Sequence, residues 1–328
     1  MTQLALPTHL EVLPRTVSAP VAAPAEACSL ADSRPARRTV RHYQIGAVAV
    51  SLRSDLPAVQ AAFHQCYRVY HVDHAGSGTF SIDVVTRRSW RSLRRYYHIL
   101  GNGEEIFVTR RPEMVLPHVE WAINSLVARH LPSYYQIHAS VVSRHGTAVV
   151  FPGLPGQGKS TLAAALLRRG WSYLSDEFAL IDPDTRLLVP YPKALCIKAG
   201  AFNMLEALGL PLDLSYVLLK GTKGRVAMLS PLAVRHDAVC EPCPIGAIMF
   251  PEWSPGQQPA LEPMPRAQGL FQLIQVSFNF VKFRRGGFDL LAEIVRQVRC
   301  YRLRTGDLKQ TCELVESGLG HGRLGGNA

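Results

Sequence analysis

Residues 151–170 read FPGLPGQGKSTLAAALLRRG, and within them Gly153-Leu154-Pro155-Gly156-Gln157-Gly158-Lys159-Ser160 satisfies the phosphate-cradling pattern G-x-x-x-x-G-K-[ST] in full. Glycine lets a backbone turn tightly enough for successive N–H groups to face one anion. A lysine then supplies a cation, and a serine hydroxyl can reach a divalent metal. The flanks agree with this reading. Thr147-Ala148-Val149-Val150-Phe151 is a short apolar run that predicts a buried strand. After the loop, Leu162, Ala163, Leu166 and Leu167 recur at helical spacing, and Arg168, Arg169 and Gly170 provide a cationic last turn and a glycine stop. A strand that delivers glycines to a helix N-terminus is an anion site by its backbone alone. Gly153, Pro155, Gly156, Gln157, Gly158, Lys159, Ser160 and Thr161 are therefore the expected nucleotide contacts.

Two further positions fall around the loop. Upstream, residues 136–142 predict one strand that turns at Arg144-His145-Gly146 and returns into the loop, which puts His138 on the neighbouring strand at the edge of the site. Downstream, Trp171-Ser172-Tyr173-Leu174-Ser175 predicts a strand that ends in Asp176-Glu177. Carboxylates at the end of a strand shortly after a phosphate-loop helix are placed to hold Mg²⁺ or to orient a nucleophile. Asp176 carries the main expectation for metal binding or general-base work, with Glu177 beside it.

The run from His138 through GLPGQGKS to LSDE resembles the C-terminal catalytic domain of bacterial HPr kinase/phosphorylase. It is most similar to the HPr kinase-related proteins found beside small modified-peptide gene sets. The match covers about residues 134–200. The resemblance implies an α/β fold similar to the nucleotide domain of phosphoenolpyruvate carboxykinase, with the loop carried by a mixed central sheet. It also implies ATP and Mg²⁺ as cofactors and a serine hydroxyl as the phosphoryl acceptor. Carried over by position, Lys159 holds the β- and γ-phosphates and Ser160 the metal. Asp176 becomes the base, Glu177 a second metal contact and His138 a residue near Asp176. The bifunctional enzymes have a paired Asp-Asp where this chain has Asp176-Glu177, and their glycine-rich signature after the acidic pair has only a loose counterpart in residues 193–198. Kinase activity is thus the expectation, on a small protein or peptide encoded nearby or on a metabolite. An ATP-binding assembly module without phosphoryl transfer is the alternative from a different class.

The chain has 328 residues with 47% apolar and 19% charged content, ordinary for a globular protein with a substantial core. Its net charge of +11 invites an acidic partner. The basic residues lie in separate groups: Arg34, Arg37, Arg38 and Arg41; Arg87, Arg88, Arg91, Arg94 and Arg95; Lys220, Lys223 and Arg225; Lys282, Arg284 and Arg285. The second group is interleaved with Trp90, Tyr96 and Tyr97, a composition shared by base-stacking surfaces and by solvated Arg-rich strand pairs. A nucleic-acid-dependent ATPase therefore ranks third. Seven cysteines with no secretory signal predict reduced thiols and a cytoplasmic protein, and no stretch approaches a membrane span. Cys240-Glu241-Pro242-Cys243 lacks a second pair at zinc-site spacing and is expected to be a loop.

Composition divides the chain into a proline-interrupted segment (1–40) expected to be disordered, a small α+β module (41–132), a nucleotide domain (133–316) and a glycine-rich tail (317–328) expected to be disordered from Gly318. In the module, Ile45, Ala47 and Val50 suggest one strand-like run, and Ser54 or Asp55 a cap for a helix bearing Val59, Phe63 and Cys66 or Tyr67. Residues 80–85, 96–100 and 105–109 predict strands, and Val115, Val119, Ile123, Leu126 and Val127 a helix that stops at Pro132. Farther on, residues 200–240 show little periodicity, and Lys220-Gly221-Thr222-Lys223-Gly224-Arg225 is a basic loop that could serve as a lid. Residues 245–250 predict a strand ending at Pro251. Two apolar helices are expected around Leu270–Ile274 and Leu290–Val298, the first leading to Asn279, and residues 300–304 predict a last strand. A homo-oligomer is compatible with all of this.

Overall fold

The computed structural model describes residues 39–90, 94–131, 133–214, 217–219 and 224–320. The expected N-terminal disorder, the Pro132 helix stop, most of the basic loop around Lys220 and the end of the tail lie outside the described residues, as do Arg34, Arg37, Arg38 and Arg91.

The N-terminal half is a sheet covered on one face by two helices. In chain order it comprises β1 (Thr39–Ile45), β2 (Val48–Ser54), α1 (Pro57–Tyr67), β3 (His71–Val72), β4 (Phe80–Arg88), β5 (Arg95–Gly101), β6 (Glu104–Thr109) and α2 (Val115–His130). The strands order as β3-β1-β2-β4-β5-β6, with β2 and β4 parallel and the remaining pairs antiparallel. Alternation along the strands sends Tyr43, Ile45, Val50, Leu52, Ile82, Val84 and Ile99 into one core with Val59, Phe63 and Tyr67 of α1 and Val119, Ile123, Leu126 and Val127 of α2. The β5–β6 hairpin turns through Asn102 and Gly103, both at positive φ (51° and 84°), the conformation that a two-residue hairpin loop with right-handed strand twist requires.

Two expectations change here, and a third, left open between readings, is resolved. Ile45 and Val50 lie on two strands, because Gly46-Ala47 is a two-residue turn with Ile45 opposite Val48. Neither Ser54 nor Asp55 occupies the helix N-cap, which is Leu56. The Ser54 hydroxyl accepts from the Leu56 amide, while the Asp55 carboxylate reaches across to the Thr86 amide and hydroxyl and ties β2 to β4. The Arg-rich segment is a strand pair, with Arg87 opposite Tyr96 and Arg88 opposite Arg95; Tyr97 turns inward to the core.

The C-terminal half continues with β7 (Tyr135–Ile137), β8 (Ala139–Arg144), β9 (Thr147–Pro152), α3 (Lys159–Arg168), β10 (Ser172–Ser175), β11 (Ala179–Ile181), β12 (Leu188–Val189) and β13 (Leu195–Lys198). Then come α4 (Phe202–Ala207), β14 (Val217–Leu219), β15 (Arg225–Leu229), α5 (Pro231–Val234), β16 (Ile245–Trp253), β17 (Ala260–Met264), α6 (Arg266–Gln275), α7 (Phe280–Gln297), β18 (Arg299–Thr305) and α8 (Leu308–Gly320). The main sheet orders as β10-β8-β9-β16-β18-β17, with β9, β16 and β18 mutually parallel at its centre and antiparallel strands outside. The fold is therefore mixed α/β with mixed sheets.

Both faces of this sheet are buried, which is why its strands read as near-continuous apolar runs. Val142, Val149, Phe151, Ala247, Met249 and Leu303 pack toward α3 and α8, while Val141, Val150, Ile248, Phe250 and Cys300 pack toward α6 and α7. Two smaller sheets, β12-β11-β7 and β13-β15-β14, flank it. The N-terminal core is continuous with this half through Phe178, Leu180, Tyr191, Ala194 and Cys196, and the Ala47 amide donates to the Pro190 carbonyl.

Several boundaries differ from the sequence expectation. Residues 136–142 are not one strand: β7 pairs with β11 and β8 with β9 and β10, so the chain changes sheets at His138. Strand β16 runs through Pro251 to Trp253. It tolerates the proline because β9 pairs with it only as far as Ile248, leaving that side of Pro251 without a ladder partner that needs an N–H. Residues 200–240 contain α4, β14, β15 and α5, each too short to display a period. The first apolar helix ends at Gln275, and Asn279 instead uses its side-chain amide to bond the Gln136 amide and Tyr134 carbonyl. The C-terminal helix extends through Gly318 to Gly320, so the order continues past the predicted start of the tail. Among the described residues no helix is long and apolar enough to cross a membrane.

Candidate functional site

The glycine loop joins β9, at the centre of the main sheet, to α3. Gly156 and Gly158 sit at φ 102° and 80° with open space where a side chain would be, so backbone conformation rather than crowding demands glycine there. Gly158 is the N-cap of α3, and the first amides of that helix have no acceptor within the helix itself. The loop entrance is anchored by the Gly153 amide donating to the His138 carbonyl at 3.2 Å. Gln157 is anchored on the other side, its Oε1 accepting from the Trp253 amide at 3.1 Å.

Lys159 is buried and its Nζ donates to the Gly153 and Leu154 carbonyls at 2.6 and 2.9 Å, so the ammonium lies across the loop it belongs to. The adjacent Ser160 points to the acidic pair: its Oγ donates to Asp176 Oδ2 at 2.8 Å. The other Asp176 oxygen accepts from the Ser140 hydroxyl. Asp176 is 3% exposed. It ends β10, two strands from β9 in the sheet, and the intervening β8 supplies Ser140 from between them.

Glu177 follows at φ 88°, a region that costs a non-glycine residue about 1–3 kcal/mol and persists only where the surroundings impose it. Its Oε2 lies 3.7 Å from His138 Nε2. The His138 ring packs against Phe278, and the His138 amide donates to the Val276 carbonyl at 2.8 Å. The expectation that His138 would stand near Asp176 is thus refined: its ring partner is Glu177, and the residue of that strand bonded to Asp176 is Ser140.

These groups line a cleft of ≈ 510 Å³. It holds Pro155, Gly156, Gly158, Lys159, Ser160, Thr161, Asp176, Glu177 and His138, so the sequence-derived residues around the loop converge on one cavity. Gly153 and Gln157 shape it through the anchors described above. The opposite wall comes from elements with no recognisable motif: Lys198, Met204, Trp253, Thr305, Gly306, Leu308 and Thr311. Gly306 is positioned by its amide bonding the Thr311 hydroxyl at 3.3 Å. Ser140 was legible only as the second residue after His138; the far wall is assembled by folding alone.

No family model and no curated protein sequence matches this chain. The chemistry of the site therefore rests on its own atoms. Ser160 and Asp176 offer hard oxygen donors 2.8 Å apart, which suits Mg²⁺. Among the described residues no group of three or more His, Cys, Asp or Glu is placed to hold a metal ion. An ion held by one carboxylate, one hydroxyl and substrate phosphates is the arrangement such a donor set fits.

Cys240 and Cys243 lie outside the cleft. Cys243 is buried and its backbone bridges to Leu188 in both directions, while Ser143 Oγ lies 3.1 Å from Cys240 Sγ. A hydrogen bond from the Cys243 thiol lowers the Cys240 pKa and raises that of Cys243. The pair lies between α5 and β16, outside every named helix and strand as the loop reading expects, with Cys243 buried and Cys240 partly exposed.

Proposed function

We propose that the protein is an ATP-dependent kinase of P-loop type, transferring the γ-phosphate to a hydroxyl, serine in the nearest chemical parallel, of a small protein, peptide or metabolite. The observation that carries this reading is the hydrogen bond from loop residue Ser160 to buried Asp176, both lining a cleft that Gly158, Lys159 and Thr161 at the start of α3 also line. A glycine loop alone argues for a phosphate. A buried carboxylate bonded to the loop hydroxyl argues for a phosphate accompanied by a divalent cation.

In this proposal the amides of Gly156, Gly158, Lys159 and Ser160 receive phosphate oxygens, and Lys159 exchanges its two carbonyl acceptors for them. Ser160 and Asp176 would hold Mg²⁺, which when bound neutralises charge on the phosphates. The acceptor hydroxyl enters beside His138 and Glu177. The mixed central sheet bearing the loop supports the similarity to the nucleotide domain of phosphoenolpyruvate carboxykinase that the sequence implies.

Lys159→Ala removes a cation at the phosphates, and hydrogen bonds to charged groups contribute about 1.5–3 kcal/mol. Its MgATP affinity should fall by about 10- to 100-fold in a calorimetric titration. Unchanged affinity would remove the assignment. Incubation with γ-labelled ATP and small proteins encoded nearby, followed by mapping of label, tests transfer itself. A protein that binds ATP, changes partner binding and labels nothing would be an assembly module instead.

A further inference from the structure

Asp176 and Glu177 are adjacent in sequence but differ in what engages them. Both oxygens of Asp176 accept protein hydroxyls, from Ser140 and Ser160, and the residue is buried. A general base must present a lone pair within hydrogen-bond reach of the proton it takes. Each Asp176 oxygen keeps a further lone pair, but the residue is 3% exposed, which leaves an incoming hydroxyl little access to it. Asp176 is also already paired with the loop serine on the metal side.

Glu177 is placed differently. Its side chain retains 26% of its accessibility, lines the cleft and faces His138 Nε2. The positive φ that puts it there is imposed on a residue type that does not favour it. His138 is fixed in turn at the break between β7 and β8: its amide is bonded to Val276, its carbonyl to Gly153 of the loop, and its ring packs on Phe278.

We infer, resting on the kinase reading above, that Glu177 is the general base, His138 a positioning residue for it, and Asp176 the metal-side carboxylate. This exchanges the roles that the family resemblance implies for the pair. The acceptor hydroxyl gives its proton to a Glu177 carboxylate oxygen while its own lone pair forms the new O–P bond to the γ-phosphorus. The bond from that phosphorus to the β–γ bridging oxygen breaks with its electron pair leaving on ADP. Glu177 later returns the proton to solvent.

The test uses the full chain with ATP as probe, measuring ATP affinity with and without Mg²⁺ and ADP formation with water as acceptor. Glu177→Gln should keep both the affinity and its Mg²⁺ dependence while ADP formation falls by about 100-fold or more. Glu177→Asp should recover part of that loss. Asp176→Asn should lose the Mg²⁺-dependent gain in affinity. His138→Asn should lower kcat while leaving the KM for ATP unchanged, a split that mere loosening of the fold would not produce. The assignment is overturned if wild type forms ADP no faster than Glu177→Gln, or if Asp176→Asn keeps its Mg²⁺ dependence and Glu177→Gln loses it. A wild-type protein that binds no MgATP overturns the kinase reading and this assignment together; one that binds it but fails the first comparison overturns the assignment alone.

Discussion

Two buried carboxylates in this molecule are satisfied in opposite ways. Glu120 on α2 lies 2.8 Å from Lys193 Nζ, and it also accepts from Tyr67 Oη at 3.3 Å. Lys193 in turn donates to Asn124 at 2.7 Å. That network is charge-balanced and closed, and it bolts the N-terminal sheet and its helices to the segment following β12. Asp176 has neutral hydroxyls on both oxygens and no cation in ion-pair range among the described residues. Lys159, at the start of α3, directs its ammonium to loop carbonyls. The difference separates scaffold from site: a buried charge with its own counterion holds structure together, whereas one held only by neutral dipoles retains net charge for a ligand to meet.

The comparison is most severely tested at the closed network. Glu120→Gln should destabilise the protein by about 3–5 kcal/mol in urea unfolding, because it strands Lys193 in the interior. Pairing Glu120→Leu with Lys193→Met should recover most of that loss, since an apolar pair carries no desolvation penalty. Asp176→Asn, which keeps one acceptor oxygen and lets its amide donate to the other serine hydroxyl, should cost clearly less. If the two single variants cost the same, the two carboxylates are not the different objects described here.

Next in size is the loop that Asp176 serves. Gly158→Ala should cost about 1–2 kcal/mol of stability, because an L-residue is strained at φ 80° even with open space around its Cβ. A smaller loss would mean that the loop can relax without the glycine, and the anion cradle with it.

The smallest effect at neutral pH is expected at a third, half-buried titratable group, on the scaffold side. His118 of α2 stacks on Phe107 with ring centroids 5.0 Å apart, and its Nδ1 is buried without a hydrogen-bond partner among the described residues. Burial pushes its pKa down to about 4 from 6.5. Between those values the unfolded chain binds a proton that the folded chain refuses, so stability falls as pH drops from 6.5 toward 4 and is unaffected by this group above 6.5. His118→Phe should flatten that part of the stability profile, measured as urea midpoints between pH 7 and 5. An unchanged slope would place the acid sensitivity elsewhere.

How much of the site was legible follows from how local each signal is. Residues 153–160 lie close along the chain, and the phosphate cradle proposed for them depends on backbone conformations that adjacent glycines permit, so a single short motif carries the signal. Asp176 and Glu177 were legible as the polar end of an apolar run. Their different surroundings were not, because Ser140 and His138 come from another strand and nothing in either segment states the pairing register. Trp253 and Thr305 reach the cleft because β16 runs parallel beside β9 and β18 parallel beside β16, and Thr311 because α8 follows β18. The short elements in residues 200–240 escaped notice because strands of three to five residues and helices of four and six residues do not span enough sequence to reveal a period.

By itself, the sequence determined the glycine loop, its strand and helix, and the acidic pair downstream, since each is encoded by residues close along the chain whose conformational limits are intrinsic. Only the tertiary structure decided that the chain changes sheets at His138, that Ser160 and Ser140 converge on Asp176, and that His138 faces Glu177. These are consequences of which strands pair and in what register. That choice is made by burying both faces of the main sheet at once, a property of the whole chain and of no single stretch within it.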